Sequence, residues 1–207
     1  MSVTVNTSWL STSEGVVGRW EPDSRGRLHE AALTLYAENG FDQTTAAQIA
    51  ARAGLTERTF FRHFADKREV LFGGSALLKE RVVTAVTTAP PSDGPLDAVA
   101  RGLDQAGAIV GEGRRDLVAR RQAVIAANPE LRERESAKLA DLAAAVALAL
   151  RGRGVSEPQA TLSADAGMSV FRVAVERWAT GTDDGDLQLA LRNSIADLRA
   201  IATGTPQ

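Results

Sequence analysis

Cysteine is absent from this 207-residue chain. That absence removes disulfides, thiolate-ligated zinc, iron–sulfur clusters and a thiol nucleophile together. His29 and His63 are the only histidines, which excludes a His-rich metal site and a catalytic site built on several imidazoles. Tryptophan and tyrosine are scarce, and no long stretch alternates apolar and polar residues with period two. Nothing therefore marks a half-buried strand. Asp93-Gly94 and Asp184-Gly185 lie between segments of helical period and signal no hairpin. Long apolar runs are missing too. The longest, residues 139–150, is about a dozen residues and contains Asp141, whereas a membrane span needs about 20. Residues 1–19 hold no lysine or arginine before Arg19 and no apolar core, so they do not resemble a secretory signal. A cytoplasmic protein without membrane spans is expected. The net charge of −2 carries no global attraction to nucleic acid, and any basic surface must be local.

What is present is helical. Alanine is abundant, and ordinary globular composition (44% apolar, 24% charged) argues against wholesale disorder. The length suits one compact unit, or a small module fused to a medium one. The fold class expected is all-α, with about nine helices. Residues 1–22 have no helical period and are expected to form a flexible arm. Leu28, Ala31, Ala32, Leu35 and Tyr36 follow the i, i+3, i+4, i+7, i+8 pattern of a first helix, which Gly40 stops. Thr45 and Gln48 have capping-box spacing for a short second helix ending at Gly54. A third starts at Thr56 and carries Phe60 and Phe64. A fourth is expected from Asp66, interrupted by Gly73-Gly74, a kink or hinge candidate. Residues 89–95 form the clearest loop. Further helices are expected at about 95–111, 114–127, 129–152, 156–180 and 184–203.

Residues 44–67 are the informative region. Two short helices are joined by Arg52-Ala53-Gly54-Leu55, and a helix-turn-helix needs glycine in a turn of about 3–4 residues. At about 100° per residue, Phe60 and Phe64 share the inner face of the third helix, while Arg58 and Arg62 fall about 160° and 200° from Phe60. Paired outward arginines suit bidentate contact with guanine O6 and N7 in a major groove. The same arginines also suit phosphates, which position a protein without specifying sequence. Between residues 52 and 68, five basic side chains (Arg52, Arg58, Arg62, Lys67, Arg68) face two acids (Glu57, Asp66) in a chain that is acidic overall.

Gly40-Phe41, Thr44-Thr45, Ile49-Ala50, Ala53-Gly54-Leu55-Thr56, Thr59-Phe60-Phe61-Arg62-His63-Phe64, Lys67 and Leu71 together resemble the N-terminal domain of TetR-type (TetR/AcrR) transcriptional regulators, over roughly residues 25–72. The resemblance implies a helix-turn-helix DNA-binding domain at 23–72 and a helical effector-binding and dimerisation domain at 73–207. It implies that Thr44 and Thr45 cap the second helix and touch phosphate, and that Thr56 caps the recognition helix. Glu57, Arg58, Thr59 and Arg62 would face bases or phosphates. His63 and Lys67 would hold the DNA backbone. Ala46 offers only a methyl group where some members carry a base-contacting side chain. Phe61 stands where tyrosine is usual, keeping the ring and losing a phosphate hydrogen bond. Arg19, Arg25 and Arg27 near the arm are candidates for a minor groove, for surface phosphate contact, or for no contact.

The same resemblance implies a homodimer on two-fold operator DNA, with the last two helices paired as a four-helix bundle. Val175, Trp178, Leu191, Ile195 and Leu198 are the candidate dimer contacts, and intramolecular core is their alternative. A small-molecule effector would occupy the middle helices. Leu103, Val118, Ile125, Leu142 and Phe171 are candidate lining residues, with Ile109 and Leu139, each equally suited to plain core. Their aliphatic character favours a lipophilic effector. Arg114, Arg115, Arg120, Arg121, Arg132 and Arg134 form either a solvated, salt-bridged face or an anionic handle for an acyl-CoA-like molecule. Residues 120–125 and 128–132 are faintly similar to acyl-CoA-sensing members of the mycofactocin-regulator type. No cofactor or metal is expected. A ligand-responsive repressor is the leading expectation. An all-α interaction module that no longer reads DNA is the alternative. An all-α enzyme is disfavoured because no spacing singles out a catalytic pair.

Overall fold

The computed structural model describes residues 24–111 and 114–204, all of whose regular structure is helical. The arm assigned to 1–22, Arg19 included, lies outside the described residues. Nine α-helices occur in the order α1 Ser24–Asn39, α2 Ala46–Arg52, α3 Glu57–His63, α4 Ser75–Thr87, α5 Pro95–Gly111, α6 Arg115–Ala127, α7 Pro129–Gly152, α8 Glu157–Ala179 and α9 Leu187–Thr203 among the described residues. Their number and order match the periodicity, and so do their approximate bounds except for the fourth. No described helix is long and apolar enough to cross a membrane.

The local stops and starts have ordinary causes. Gly40 takes a φ of 81° and donates its N–H to Tyr36 O at 3.1 Å, ending α1 in a conformation that a side chain would strain. Thr45 accepts from Gln48 N at 3.2 Å while Gln48 Oε1 accepts from Thr45 N at 2.8 Å, a complete capping box on α2. Thr56 Oγ1 accepts from Thr59 N at 3.2 Å and opens α3.

The expected fourth helix is split. Asp66 accepts from the N–H groups of Arg68 and Glu69 (2.8 and 3.0 Å), but the chain then makes only a 3-10 turn, Glu69–Phe72, and α4 begins at Ser75. Gly73 is there for closeness as well as for the break. A methyl group at that position would lie 2.7 Å from Phe64 Cε1 and 3.2 Å from the Arg25 guanidinium.

Two apolar cores result. The larger joins α4, α5, α7, α8 and α9 with Val118 of α6. The smaller lies under α1, α2, α3 and the 3-10 turn, and is completed by Val124, Ile125 and Leu131 from α6 and α7. The head placed at 23–72 by sequence therefore shares its core with residues far beyond position 72. Inside the larger core, α5 meets α4 and α8 at glycines. A methyl group at Gly102 would approach Val82 and Val86 Cγ atoms to 3.0 Å, and one at Gly167 would overlap Val99 Cγ1. Valine is stiff at χ1 and cannot swing away cheaply. Gly167→Ala is expected to lower the unfolding free energy by about 1–3 kcal/mol through overpacking. Urea denaturation checks this, and an unchanged or raised midpoint would mean that the α5–α8 crossing yields freely.

Candidate nucleic-acid interface and the chamber behind it

Buried Phe60 and Phe64 hold α3 against the head's core, their ring centroids 5.7 Å apart. The opposite face is exposed. Glu57, Arg58 and Arg62 lie in solvent, Thr59 is half-buried, and the Phe61 ring is 52% exposed and packs edge-on against Phe60. The basic cluster around α3 separates into two kinds. Arg52 is paired with Glu38 at 3.0 Å and Arg68 with Asp66 at 3.0 Å. Arg58 and Arg62 make no ion pair among the described residues. Two unpaired guanidiniums beside an exposed aromatic ring, on a capped helix, can donate to base edges or phosphates without first breaking an internal bond.

The structure redirects several side chains that the sequence assigned to DNA. Thr44 is only 1% exposed, and its hydroxyl donates to Gly40 O at 2.8 Å, so it braces the α1–α2 turn and Thr45 alone caps α2. Ala46 is half-buried. Lys67 Nζ donates to the carbonyls of Phe41, Asp42 and Thr44 at 2.8, 3.1 and 3.1 Å and sits 4.4 Å above the Phe41 ring. Its positive charge is consumed inside the head. No i, i+4 argument shows this, because the partners lie more than twenty residues away. Tyr36 Oη donates to Lys67 O at 2.5 Å, which fixes the lysine's backbone, and burial pushes the phenol well above its ordinary range. His63 Nε2 is enclosed with no hydrogen-bond partner in the described structure, and burial followed by Arg62 and Arg25 lowers its pKa. Arg25 and Arg27 turn inward and donate to Gly73 O and Ala53 O.

Behind the head lies a cavity of about 590 Å³. Its walls come from α1 (Arg25, His29), the 3-10 turn and the start of α4, the end of α5, and α6, α7 and α8. Val118, Leu142 and Phe171 line it as the sequence expected, with Ile109 and Leu139. Leu103 and Ile125 do not. Leu103 is buried in the larger core, and Ile125 belongs to the head's core. Val175, a candidate dimer contact, lines the cavity instead. Trp178, Leu191 and Ile195 are buried in the chain's own core, and Leu198 packs against it half-buried. A buried side chain has no area left to offer a second copy, so intramolecular packing wins for Val175, Trp178, Leu191 and Ile195, while half-buried Leu198 keeps part of its surface free.

The arginine cluster also disperses. Arg115 donates to the Trp178 and Asp183 carbonyls and lies over the Trp178 ring. Arg120 pairs with Glu30 at 2.7 Å, Arg132 donates to Ala126 O, and Arg134 pairs with Glu69. Of the cluster, Arg114 and Arg121 alone border the cavity. No group of three or more His, Cys, Asp or Glu residues able to hold a metal exists among the described residues.

Residues 28–72 match the family described as bacterial regulatory proteins, tetR family. The chain is 37% identical over 76 residues to the HTH-type transcriptional regulator TcmR of Streptomyces glaucescens, covering 37% of this chain and 34% of that one. It is 33% identical over 60 residues to a putative mycofactocin biosynthesis transcriptional regulator, MftR, of Mycobacterium tuberculosis, covering 29% of this chain and 30% of that one. The matched segments thus span about a third of the length of these curated relatives. Beyond the head the likeness is one of fold. The SmeT–triclosan complex superposes with a TM-score of 0.58 at 20% identity over 84% of this chain and 90% of that one. SmeT, the repressor of a Stenotrophomonas maltophilia multidrug efflux pump, superposes in a second structure with a TM-score of 0.53 at 20% identity over 85% and 90%. Residues 28–72 thus match the tetR family model, and the described chain shares the all-helical fold of SmeT.

His29 gives this region a pH dependence. Burial, then the Arg121 and Arg114 charges, lower its pKa from 6.5 to about 4, with Glu30 opposing. Between those values the unfolded chain binds a proton that the folded chain does not, so stability falls as pH drops through the window. The loss at pH 5 relative to pH 7.5 is about 2 kcal/mol by linkage. His29→Gln should flatten that slope in urea titrations at the two pH values. Identical slopes in the two proteins would show that His29 does not carry it.

Proposed function

We propose that the chain is a dimeric, sequence-specific DNA-binding transcriptional regulator of the cytoplasm, a repressor released from a palindromic operator when a small lipophilic molecule fills the chamber. The observation that carries the reading is the outer face of α3, where Arg58 and Arg62 stand unpaired beside exposed Phe61 on a helix fixed by Thr56 and by the Phe60–Phe64 anchor. The tetR-family match over the head and the regulators among its relatives support it. Thr45, Thr56, Glu57 and Thr59 complete the DNA-facing set, with His63 at its edge. Thr44 and Lys67 serve as braces behind it.

Two recognition helices about one DNA turn apart (~34–36 Å) would enter successive major grooves. The chamber touches the head directly through Arg25, His29 and Phe64, so an occupant that prefers another separation of the heads weakens DNA binding by that preference. The dimer contact is assigned to the exposed stripe of α8. Leu162 (69% exposed) and Val173 (38% exposed), with half-buried Ala166 between them, recur there at helical spacing on the face turned away from the core.

Selection of sites from random duplex DNA tests the reading. A palindromic winner is expected, with an affinity that falls steeply as salt rises. Arg58→Ala and Arg62→Ala should each weaken that site by about 1–3 kcal/mol, and a base contact would also relax preference at one position per half-site. Absence of any enriched sequence, or full affinity in both variants, would overturn the assignment. Val173→Asp is expected to shift sedimentation from dimer to monomer at micromolar concentration. A dimer as tight as the parent's would remove the α8 stripe from the interface.

A further inference from the structure

The chamber's charge does not match its apolar character. Phe72, Ile109, Leu139, Leu142, Phe171 and Val175 give it large apolar walls. Six cationic side chains also border it (Arg25, Lys79, Arg114, Arg121, Lys138 and Arg172), against two carboxylates, Glu135 and Asp141. Most of the cations are already engaged. Arg25 holds Gly73 O, and Arg121 holds Leu71 O at 2.8 Å and Glu135 at 2.9 Å. Lys138 is paired with Glu69 at 3.3 Å, and Arg172 lies 3.9 Å from Glu176. Arg114, at the start of α6, and Lys79, on α4, make no ion pair among the described residues, and of the two it is Arg114 whose charge acts on His29. His29 faces the same corner, where burial first, and then the Arg121 and Arg114 charges, lower its pKa, with Glu30 opposing.

A cation beside an apolar cavity gains most from a counter-charge that arrives with its own apolar body, because the pair then forms at low effective dielectric. We propose that the chamber takes an amphipathic anion, with its single carboxylate or phosphate-ester head at Arg114 beside His29 and its apolar body along Ile109, Leu139, Leu142 and Phe171. The proposal rests on the effector reading and narrows it to one class of ligand. A cavity of about 590 Å³ is of the size that encloses one drug-sized molecule. The head would bind where α6 meets α1, within the wall that also contains Gly73 and Phe64, so occupancy bears on the attachment of the DNA-reading head.

The test is calorimetric titration of the full chain at pH 7.5 with dodecanoate, 1-dodecanol and dodecyltrimethylammonium, each below its micelle concentration. The same three probes are then added to the operator complex. Dodecanoate is expected to bind at least ten-fold more tightly than the alcohol, and the ammonium most weakly. Arg114→Met keeps most of the side chain's bulk without its charge, and should abolish the preference for the acid over the alcohol. Equal or tighter binding of the alcohol or the ammonium, a preference that survives Arg114→Met, or no binding by any probe would each overturn the ligand class. The effector reading fails separately. If dodecanoate binds with the expected preference but leaves the operator complex intact, the ligand class stands and release by ligand is wrong. If the alcohol releases DNA as well as the acid does, release stands and the anionic head is wrong.

Discussion

The Arg121 guanidinium ties the molecule together. From α6 it donates to Leu71 O in the 3-10 turn, pairs with Glu135 of α7, and lies 5.1 Å from the centre of the Phe72 ring. Three elements thus meet on one planar group whose fork geometry satisfies a carbonyl and a carboxylate together. Around it, Glu69 of the same turn is gripped by Arg134 and Lys138 of α7, and Gly73 O by Arg25 of α1. The short turn between head and body is therefore no slack linker. Each end of it is pinned by a cation from a different helix.

That pinning changes how the two candidate sites relate. Helix α3 ends at buried Phe64, which packs closely against Gly73, and both residues also line the chamber. The two sites share a wall. Coupling between them needs no long chain of contacts, only a change in how that wall sits against α1 and α6. Engaged arginines hold the wall, while Arg58 and Arg62 on α3 and Arg114 at the chamber make no ion pair among the described residues. The division between engaged and available positive charge is the clearest electrostatic statement the chain makes.

The helices were legible in the sequence because their causes are local. Capping at Thr45 and Thr56, the stop at Gly40 and the loop at 89–95 all depend on residues a few positions apart. The outward arginines were legible because Arg58 and Arg62 are fixed by the period of a single short helix. Lys67 donates to carbonyls more than twenty residues away, brought near by tertiary folding, and composition carries no signal for that. For Arg25 and Arg27, whose readings included no contact with DNA, the inward bonds to Gly73 O and Ala53 O are of the same kind. Val175, Trp178, Leu191 and Ile195 were misassigned for a related reason. An apolar stripe shows that a face is buried, and says nothing about which surface buries it. Val118, Leu142 and Phe171 border the cavity while Leu103 and Ile125 do not, a distinction the sequence cannot make, since an aliphatic residue in an all-helical body reads the same whether it faces a cavity or its neighbours.

The head borrows Val124, Ile125 and Leu131 from α6 and α7 to close its core. It is consequently not an exchangeable cassette. A chimera joined after residue 72 would carry a head with an open apolar flank, and the new body would have to present side chains of matching shape at that spot. Any exchange of the rest of the chain would need to keep the α6–α7 corner with the head, so the natural seam in this architecture is not the seam in its sequence.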